Sequence, residues 1–284
     1  SEKLKNIEAG IRAKGEFLYK VFQFALKVAY KYNGIGYDKG KGFRFLLKPL
    51  LSLFNVILFK KIQAGFGGNL LFFIGGGAIL DTEMQQFFYA IGLPICQGYG
   101  LTEASPVISS NVPNCVKFGS SGKPVKDMEL KIVDSDGVQL PFGEKGEICI
   151  KGDNVMLGYW NNPVATAETL KNGWLHTGDM GYVDKDGFLY VLGRFKSLLI
   201  GNDGEKYSPE GIEDAILINS PHIQQVMLHN NQNPYTVGLV VPDIDAINRE
   251  LKQRGIEKGS DAGISETLKI IQNDINQLKK GGKH

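Results

Sequence analysis

The sequence predicts an α/β chain in two parts: a parallel βαβ sheet joined to a β-rich subdomain, followed by a small α+β domain. Three observations carry this. Residues 69–100, "NLLFFIGGGAILDTEMQQFFYAIGLPICQGYG", read as strand, glycine turn, helix and strand. After Gly119 the texture changes to short alternating strands divided by Asp-Gly turns. Past Gly193 helical periodicity returns around two more strands.

The elements follow in order. From Glu2 to Tyr32 the residues Leu18, Val21, Phe22, Ala25, Leu26 and Ala29 recur at intervals of three and four, the apolar face of a helix. "KYNGIGYDKGKG" breaks it, and a second helical stretch covers Phe43 to Gln63, with Pro49 near its start. These helices either pad a core or present a Phe/Leu-rich, lysine-edged surface over residues 16–63 to a membrane or partner. The most apolar part, Phe45 to Lys61, contains Lys48 and Pro49 and falls short of the ~20 apolar residues of a bilayer span, so it is expected not to cross one. Next come a strand at Leu70–Ile74, a helix from Asp81 to Ile91 capped by Asp81, and a strand at Pro94–Gln97. Such a pattern places sites at the carboxyl ends of parallel strands, where Gly75–Gly77 and Gly98 with Gly100 fall. Asp136-Gly137 and Asp186-Gly187 mark hairpins in the β-rich part. Ser208 and Pro209 open a helix as N-cap and first helical residue. Strands at Ile223–Leu228 and Thr236–Val241 and helices at Ile244–Arg254 and Ser265–Lys279 complete the small domain. Glycine-rich "LLIGNDGEK" precedes it as a joint. The expected domains are therefore 1–192, divided into a helical segment 1–67, a βαβ unit 68–118 and a β-rich subdomain 119–192, and then 193–284.

Length and composition bound the function. With 284 residues there is room for about two domains. A formal charge of +2 gives no argument for nucleic acid. Cys96, Cys115 and Cys149 are odd in number and far apart, which fits neither a disulfide framework nor a zinc spacing and points to a reducing, cytoplasmic setting. No secretory pattern opens the chain. It begins with Ser1, as a processed protein or a piece of a longer one would.

Chemistry concentrates in two stretches. In "QGYGLTEASP" (97–106) glycine amides at a strand end allow close approach of a flat or anionic ligand. Tyr99 offers a stacking face, Thr102 a hydroxyl for phosphate, and Glu103 oxygens for Mg²⁺; together they suggest a nucleotide phosphate, against the plainer reading of a solvated turn. In "GWLHTGDMGYVDKDGFLYVLGRFK" (173–196) Asp179 sits on a turn where a carboxylate can accept two neighbouring hydroxyls, and Arg194 is a multi-donor fork. His176 has no His, Cys or Asp at ligand spacing along the chain and reads as structural.

Taken together, "IGGGA", "QGYGLTE", "GWLHTGD", "GRFKSLLI" and "GEKYSPEGIE", in this order, resemble the adenylate-forming superfamily, and within it the long-chain fatty acid:CoA ligases. The resemblance implies that the first part is the later portion of a large adenylate-forming domain and 193–284 a hinge with part of a small lid domain. It implies that Gly76, Gly77 and Ala78 line an adenine on which Tyr99 stacks, that Thr102 meets the adenylate phosphate, and that Glu103 holds Mg²⁺. Asp179 would take the ribose hydroxyls with help from Arg194, and Lys196 would be the hinge of the small domain, followed by a loop that enters the site for the second step. The implied chemistry is ATP-dependent conversion of a fatty acid to acyl-AMP, then displacement of AMP by the thiol of CoA; an oligomer is left open.

Two family elements are not found: a lysine-containing Ser/Thr/Gly-rich loop for the β- and γ-phosphates, and the motif of a C-terminal catalytic lysine, whose context Lys279, Lys280 and Lys283 lack. The expectation is an internal fragment with almost no turnover of its own. Gly75, Ile79 and Asn172 depart from the family's usual residues. The rival reading in another class is a nucleotide or acyl binder without the reaction; a different carboxylic acid substrate is the rival within the class. A dinucleotide enzyme is disfavoured because "FFIGGGA" lacks the G-x-G-x-x-G spacing.

Overall fold

In a computed structural model, residues 2–77, 80–203 and 206–280 are described. They form two compact units, Ser1–Leu192 and Gly193–His284.

The first unit opens with α1 (Glu2–Arg12) and α2 (Glu16–Asn33), where the sequence suggested one helix. Gly15 separates them with φ 130°, a conformation that only glycine adopts without strain. Helical backbone then runs from Gly42 to Ala64 as a 3₁₀ turn, α3 (Lys48–Phe54), a π turn at Asn55–Phe59 and α4 (Lys60–Ala64). At 23 residues it is long and apolar enough, by length and composition, to cross a membrane, a longer element than the apolar core counted in the sequence. One face is core: Phe54, Leu58 and Phe59 are buried, and Phe22 meets both Phe59 and Phe87 edge-on at 6.5 Å. Such edge-to-face pairs add about 0.5–1.5 kcal/mol each beyond area burial. The opposite face is bare, with Phe43 at 89% exposure and Phe45, Leu46 and Val56 also exposed.

Strand β1 (Phe73–Gly75) pairs parallel with β2 (Ile95–Gly100), so that Gly75 stands opposite Gln97. Between them lies α5 (Thr82–Ala90), started by Asp81, whose carboxylate accepts from the amides of Glu83 (2.6 Å) and Met84 (3.1 Å). The sheet is mixed, not wholly parallel. A tight turn closed by the Leu101 amide on Pro106 O at 2.8 Å is too short for a parallel crossover, so β3 (Val107–Ser110) returns antiparallel to β2, and β4 (Lys123–Pro124) follows.

A second sheet contains β5 (Glu129–Val133), β6 (Gly146–Lys151), β7 (Leu170–Lys171), β8 (Trp174–Val183) and β9 (Leu189–Arg194), with α6 (Pro163–Thr169) before β7. Its order is β5-β6-β8-β7, and β9 also pairs with β8. Ile132, Ile148, Ile150, Leu175 and Leu189 fill its inner face. Both Asp-Gly turns form as expected: Oδ1 of Asp134 accepts from the amides of Asp136 and Val138, and Oδ1 of Asp184 from those of Asp186 and Phe188. Gly137 and Gly187 supply the positive φ that closes each turn.

In the second unit β10 (Leu199–Ile200) pairs with β11 (Lys206–Tyr207), and α7 (Pro209–Asn219) follows. Ser208 takes the N-cap position, yet its side chain makes no capping hydrogen bond among the described residues. β12 (Ile223–His229) and β13 (Val237–Pro242) form an antiparallel hairpin, and α8 (Ile244–Gln253) packs on α9 (Asp261–Lys280) through Ile247, Leu251 and Ile270.

Candidate nucleotide site

The first unit brings several of the selected residues together. Parallel pairing of β1 with β2 sets the two glycine clusters side by side: a Cβ built on Gly76 would lie 3.7 Å from the carbonyl oxygen of Gly98. Gly77 has φ 81°, a glycine conformation. Ala78 lies outside the described residues.

Tyr99, near the end of β2, donates its hydroxyl to Oδ2 of Asp179 at 2.5 Å, 80 residues along the chain. Asp179 is only 4% exposed. It is delivered by a bulge in β8: Cys149 of β6 stands opposite His176 and Glu147 opposite Met180, so β8 carries two extra residues between those pairings. The bulge is tied down locally. The Thr177 hydroxyl donates to Ile148 O (2.8 Å) and accepts from the Asp179 amide (3.1 Å), while the Gly178 amide donates to Oε1 of Glu147 (3.1 Å).

Thr102 and Glu103 lie in the 3₁₀ turn Thr102–Ala104 that continues from β2. Ser105 leaves it at φ 52°, and Asn154 Nδ2 donates to Ala104 O at 2.7 Å. Glu103 is held at both ends: its carbonyl accepts from the Met156 amide (2.8 Å), and Oε1 accepts from the Tyr159 hydroxyl (2.9 Å). Thr102 is exposed.

Two selected residues belong to the second unit. Arg194 is exposed at the end of β9, and Lys196 lies in the single turn Phe195–Ser197, its side chain outside the described residues.

One cluster escaped the sequence reading. His176, read as structural and partnerless, has Nδ1 2.7 Å from Oε2 of Glu147 and 3.4 Å from Sγ of Cys149. Its partners come from a neighbouring strand, 29 and 27 residues away, so spacing along the chain could not reveal them. Burial, reinforced by the Glu147 charge and opposed by Lys131 and Lys171, pushes the Cys149 thiol up to about 12, so it stays protonated at neutral pH.

Comparison with known proteins gives this geometry a context. Residues 31–160 match the family described as AMP-binding enzyme. Over 269 residues, 93% of the chain, the sequence is 32% identical to a long-chain-fatty-acid–CoA ligase of Mycobacterium bovis, covering 43% of that protein. Over 179 residues, 62% of the chain, it is 40% identical to a long-chain-fatty-acid–CoA ligase of Escherichia coli, covering 31% of it. Among solved structures, O-succinylbenzoate coenzyme A synthetase from Bacillus subtilis in complex with AMP matches 70% of the chain at 31% identity and TM-score 0.53, over 39% of its own length. An anthranilate CoA ligase in complex with anthranoyl-AMP matches 70% at 27% identity and TM-score 0.52, over 36% of its length. The α/β architecture with mixed sheets is thus shared with adenylate-forming enzymes, and the chain spans less than half the length of each of these relatives.

Proposed function

Because this chain belongs to the AMP-binding enzyme family across residues 31–160, we propose that it supplies the adenosine-holding part of an AMP-forming acid–thiol ligase acting on long-chain fatty acids. The observation that carries the reading is the 2.5 Å bond between Tyr99 and Asp179, which fixes a carboxylate beside a ring at the carboxyl end of β2. A buried carboxylate so oriented can accept two vicinal hydroxyls of a ribose, and the ring beside it can carry the base. Gly76 and Gly77 have no side chain to obstruct a flat ligand, and the family resemblance gives Ala78 the same adenine-lining role.

Thr102 then donates to the α-phosphate. Glu103 fits a hard cation, since the Tyr159 hydroxyl occupies Oε1 and orients the carboxylate with Oε2 left as an oxygen ligand. Bound Mg²⁺ would supply neutralisation of phosphate charge. In the first step a fatty carboxylate attacks the α-phosphate of ATP, releasing pyrophosphate; in the second the CoA thiol displaces AMP. Neither needs a general base of unusual pKa, and catalysis rests on alignment and charge stabilisation. Residues 1–192 act as the later part of the large domain and 193–284 as hinge and partial lid, with Arg194 and Lys196 acting from there. The setting is cytoplasmic, with peripheral lipid contact through the helical segment.

The long-chain preference is supported by the relatives of Mycobacterium bovis and Escherichia coli, whereas the matched structures act on aromatic acids by name. Two adenylate analogues distinguish these. Hexadecyl-AMP should bind at least about tenfold more tightly than AMP if an apolar chain is buried beside the site, and an O-succinylbenzoyl adenylate analogue should gain nothing. The reverse order would reject a long-chain substrate. A second reading, nucleotide binding without turnover, is favoured for the chain by itself because its sequence holds neither the phosphate-gripping loop nor the lysine motif. ATP–pyrophosphate exchange with palmitate and Mg²⁺ at an ordinary enzymatic rate would contradict it.

A further inference from the structure

Strand β6 alternates. Ile148 and Ile150 turn into the hydrophobic core, which places Glu147, Cys149 and Lys151 on the other face of the sheet. On β8, Leu175 joins the same core, so Trp174 and His176 share the outer face. The register sets Cys149 between Lys131 of β5 and His176 of β8. An imidazole, a thiol and a carboxylate thereby meet at one point: Oε2 of Glu147 lies 2.7 Å and Sγ of Cys149 3.4 Å from the same ring nitrogen of His176. One ligand atom from each lies within 4.8 Å of the others.

We propose that Glu147, Cys149 and His176 form a binding site for a borderline-soft divalent cation of the zinc class, separate from the oxygen site at Glu103. The donor set is one that such ions take: thiolate sulfur, imidazole nitrogen and carboxylate oxygen, with an open fourth position for water. Ligands at about 2.0–2.3 Å from a tetrahedral ion stand roughly 3.3–3.8 Å from one another, which the sulfur–nitrogen distance of 3.4 Å already meets. The nitrogen–oxygen distance of 2.7 Å is shorter because a proton is shared there in place of an ion. A small retreat of the carboxylate makes room.

The surroundings prepare the ligands. Oε1 of Glu147 accepts from the Gly178 amide at 3.1 Å, which orients the carboxylate and leaves Oε2 for the ion. His176 and Glu147 keep 20% and 24% side-chain exposure, giving an entry path, while Cys149 forms the buried floor. Uptake transfers the thiol proton to solvent. The proton shared with Glu147 leaves Nδ1 as the neutral imidazole takes one up at Nε2, which turns the Nδ1 lone pair to the ion, so the net release is one proton per ion bound. The sulfur makes the site unattractive to Mg²⁺, which takes oxygen ligands in octahedral geometry.

The test is titration of the full chain with Co²⁺ under reducing conditions, followed by absorption. We expect one equivalent to produce a near-ultraviolet sulfur-to-cobalt band with visible bands of tetrahedral strength, both removed by one equivalent of Zn²⁺. Cys149→Ser should abolish the sulfur band, and His176→Gln, a partly exposed position, should weaken cobalt binding at least about tenfold. Cys96→Ser and Cys115→Ser should leave the spectrum unchanged. A chain without the sulfur band, a band that survives Cys149→Ser, one lost in Cys115→Ser, or undiminished affinity in His176→Gln would each overturn the assignment.

Discussion

Tyr99 and Asp179, 80 residues apart, meet in a 2.5 Å hydrogen bond that joins the βαβ sheet to the β-rich sheet of the first unit. The ring and the hydroxyl have separable tasks. Tyr99→Phe removes a donor to a buried charge and should cost about 2 kcal/mol of stability in urea unfolding, while AMP affinity changes less than about fivefold. Tyr99→Ala should also remove base stacking and weaken AMP about tenfold. Equal AMP affinity in the Phe and Ala variants would mean that the base does not rest on this ring.

Lys117 ties the β-rich sheet to the loop before β4. Its ammonium, 9% exposed as a residue, lies 2.6 Å from Asp184 and 2.7 Å from Asp186. Burial opposes both charges, but the hydrogen bonds outweigh it: Asp184 titrates below 3.8 and Lys117 above the usual lysine value. The signs fix a window. Stability from Asp184 is full above 3.8 and is lost as pH falls through its lowered value; stability from Lys117 is full below the usual lysine value and is lost only as pH rises through its raised one. Lys117→Met should therefore cost about 2–3 kcal/mol at pH 7, with the difference from wild type closing only in strong acid. A difference that fades between pH 7 and pH 5 would show that another group carries it.

The bare face of the helical run from Gly42 to Ala64, with Phe43, Phe45, Leu46 and Val56, is flanked by Arg44, Lys48, Lys60 and Lys61. Apolar side chains rimmed by bases suit an anionic lipid surface. Sedimentation with phosphatidylglycerol vesicles is expected to carry the chain down, phosphatidylcholine vesicles much less, and a Phe43→Ser, Phe45→Ser double variant hardly at all. Equal recovery of wild type and variant with anionic vesicles would exclude this face as the contact.

What could be read from the residues was what local chemistry dictates. Asp81 before an apolar helix, glycines at strand ends and the two Asp-x-Asp-Gly turns each have one cheap conformation, and each forms. Elements that depend on distant partners were not legible. β2 runs on to Gly100 because β3 pairs with it, and the bulge that delivers Asp179 exists only in the register of β6 against β8. The same register hid the meeting of His176 with Cys149 and Glu147. Ser208 has the right residue type and position for a cap, yet its hydroxyl takes no capping bond, which sequence pattern cannot foresee.

The central claim, that Asp179 holds the ribose of an adenosine monophosphate in the first unit, is tested most directly by calorimetric titration of the chain with AMP. Saturable binding by the wild type, weakened at least about tenfold in Asp179→Ala as two hydroxyl hydrogen bonds to a charged group are lost, is the predicted result. No binding by a folded wild type, or the same affinity in both proteins, would contradict it.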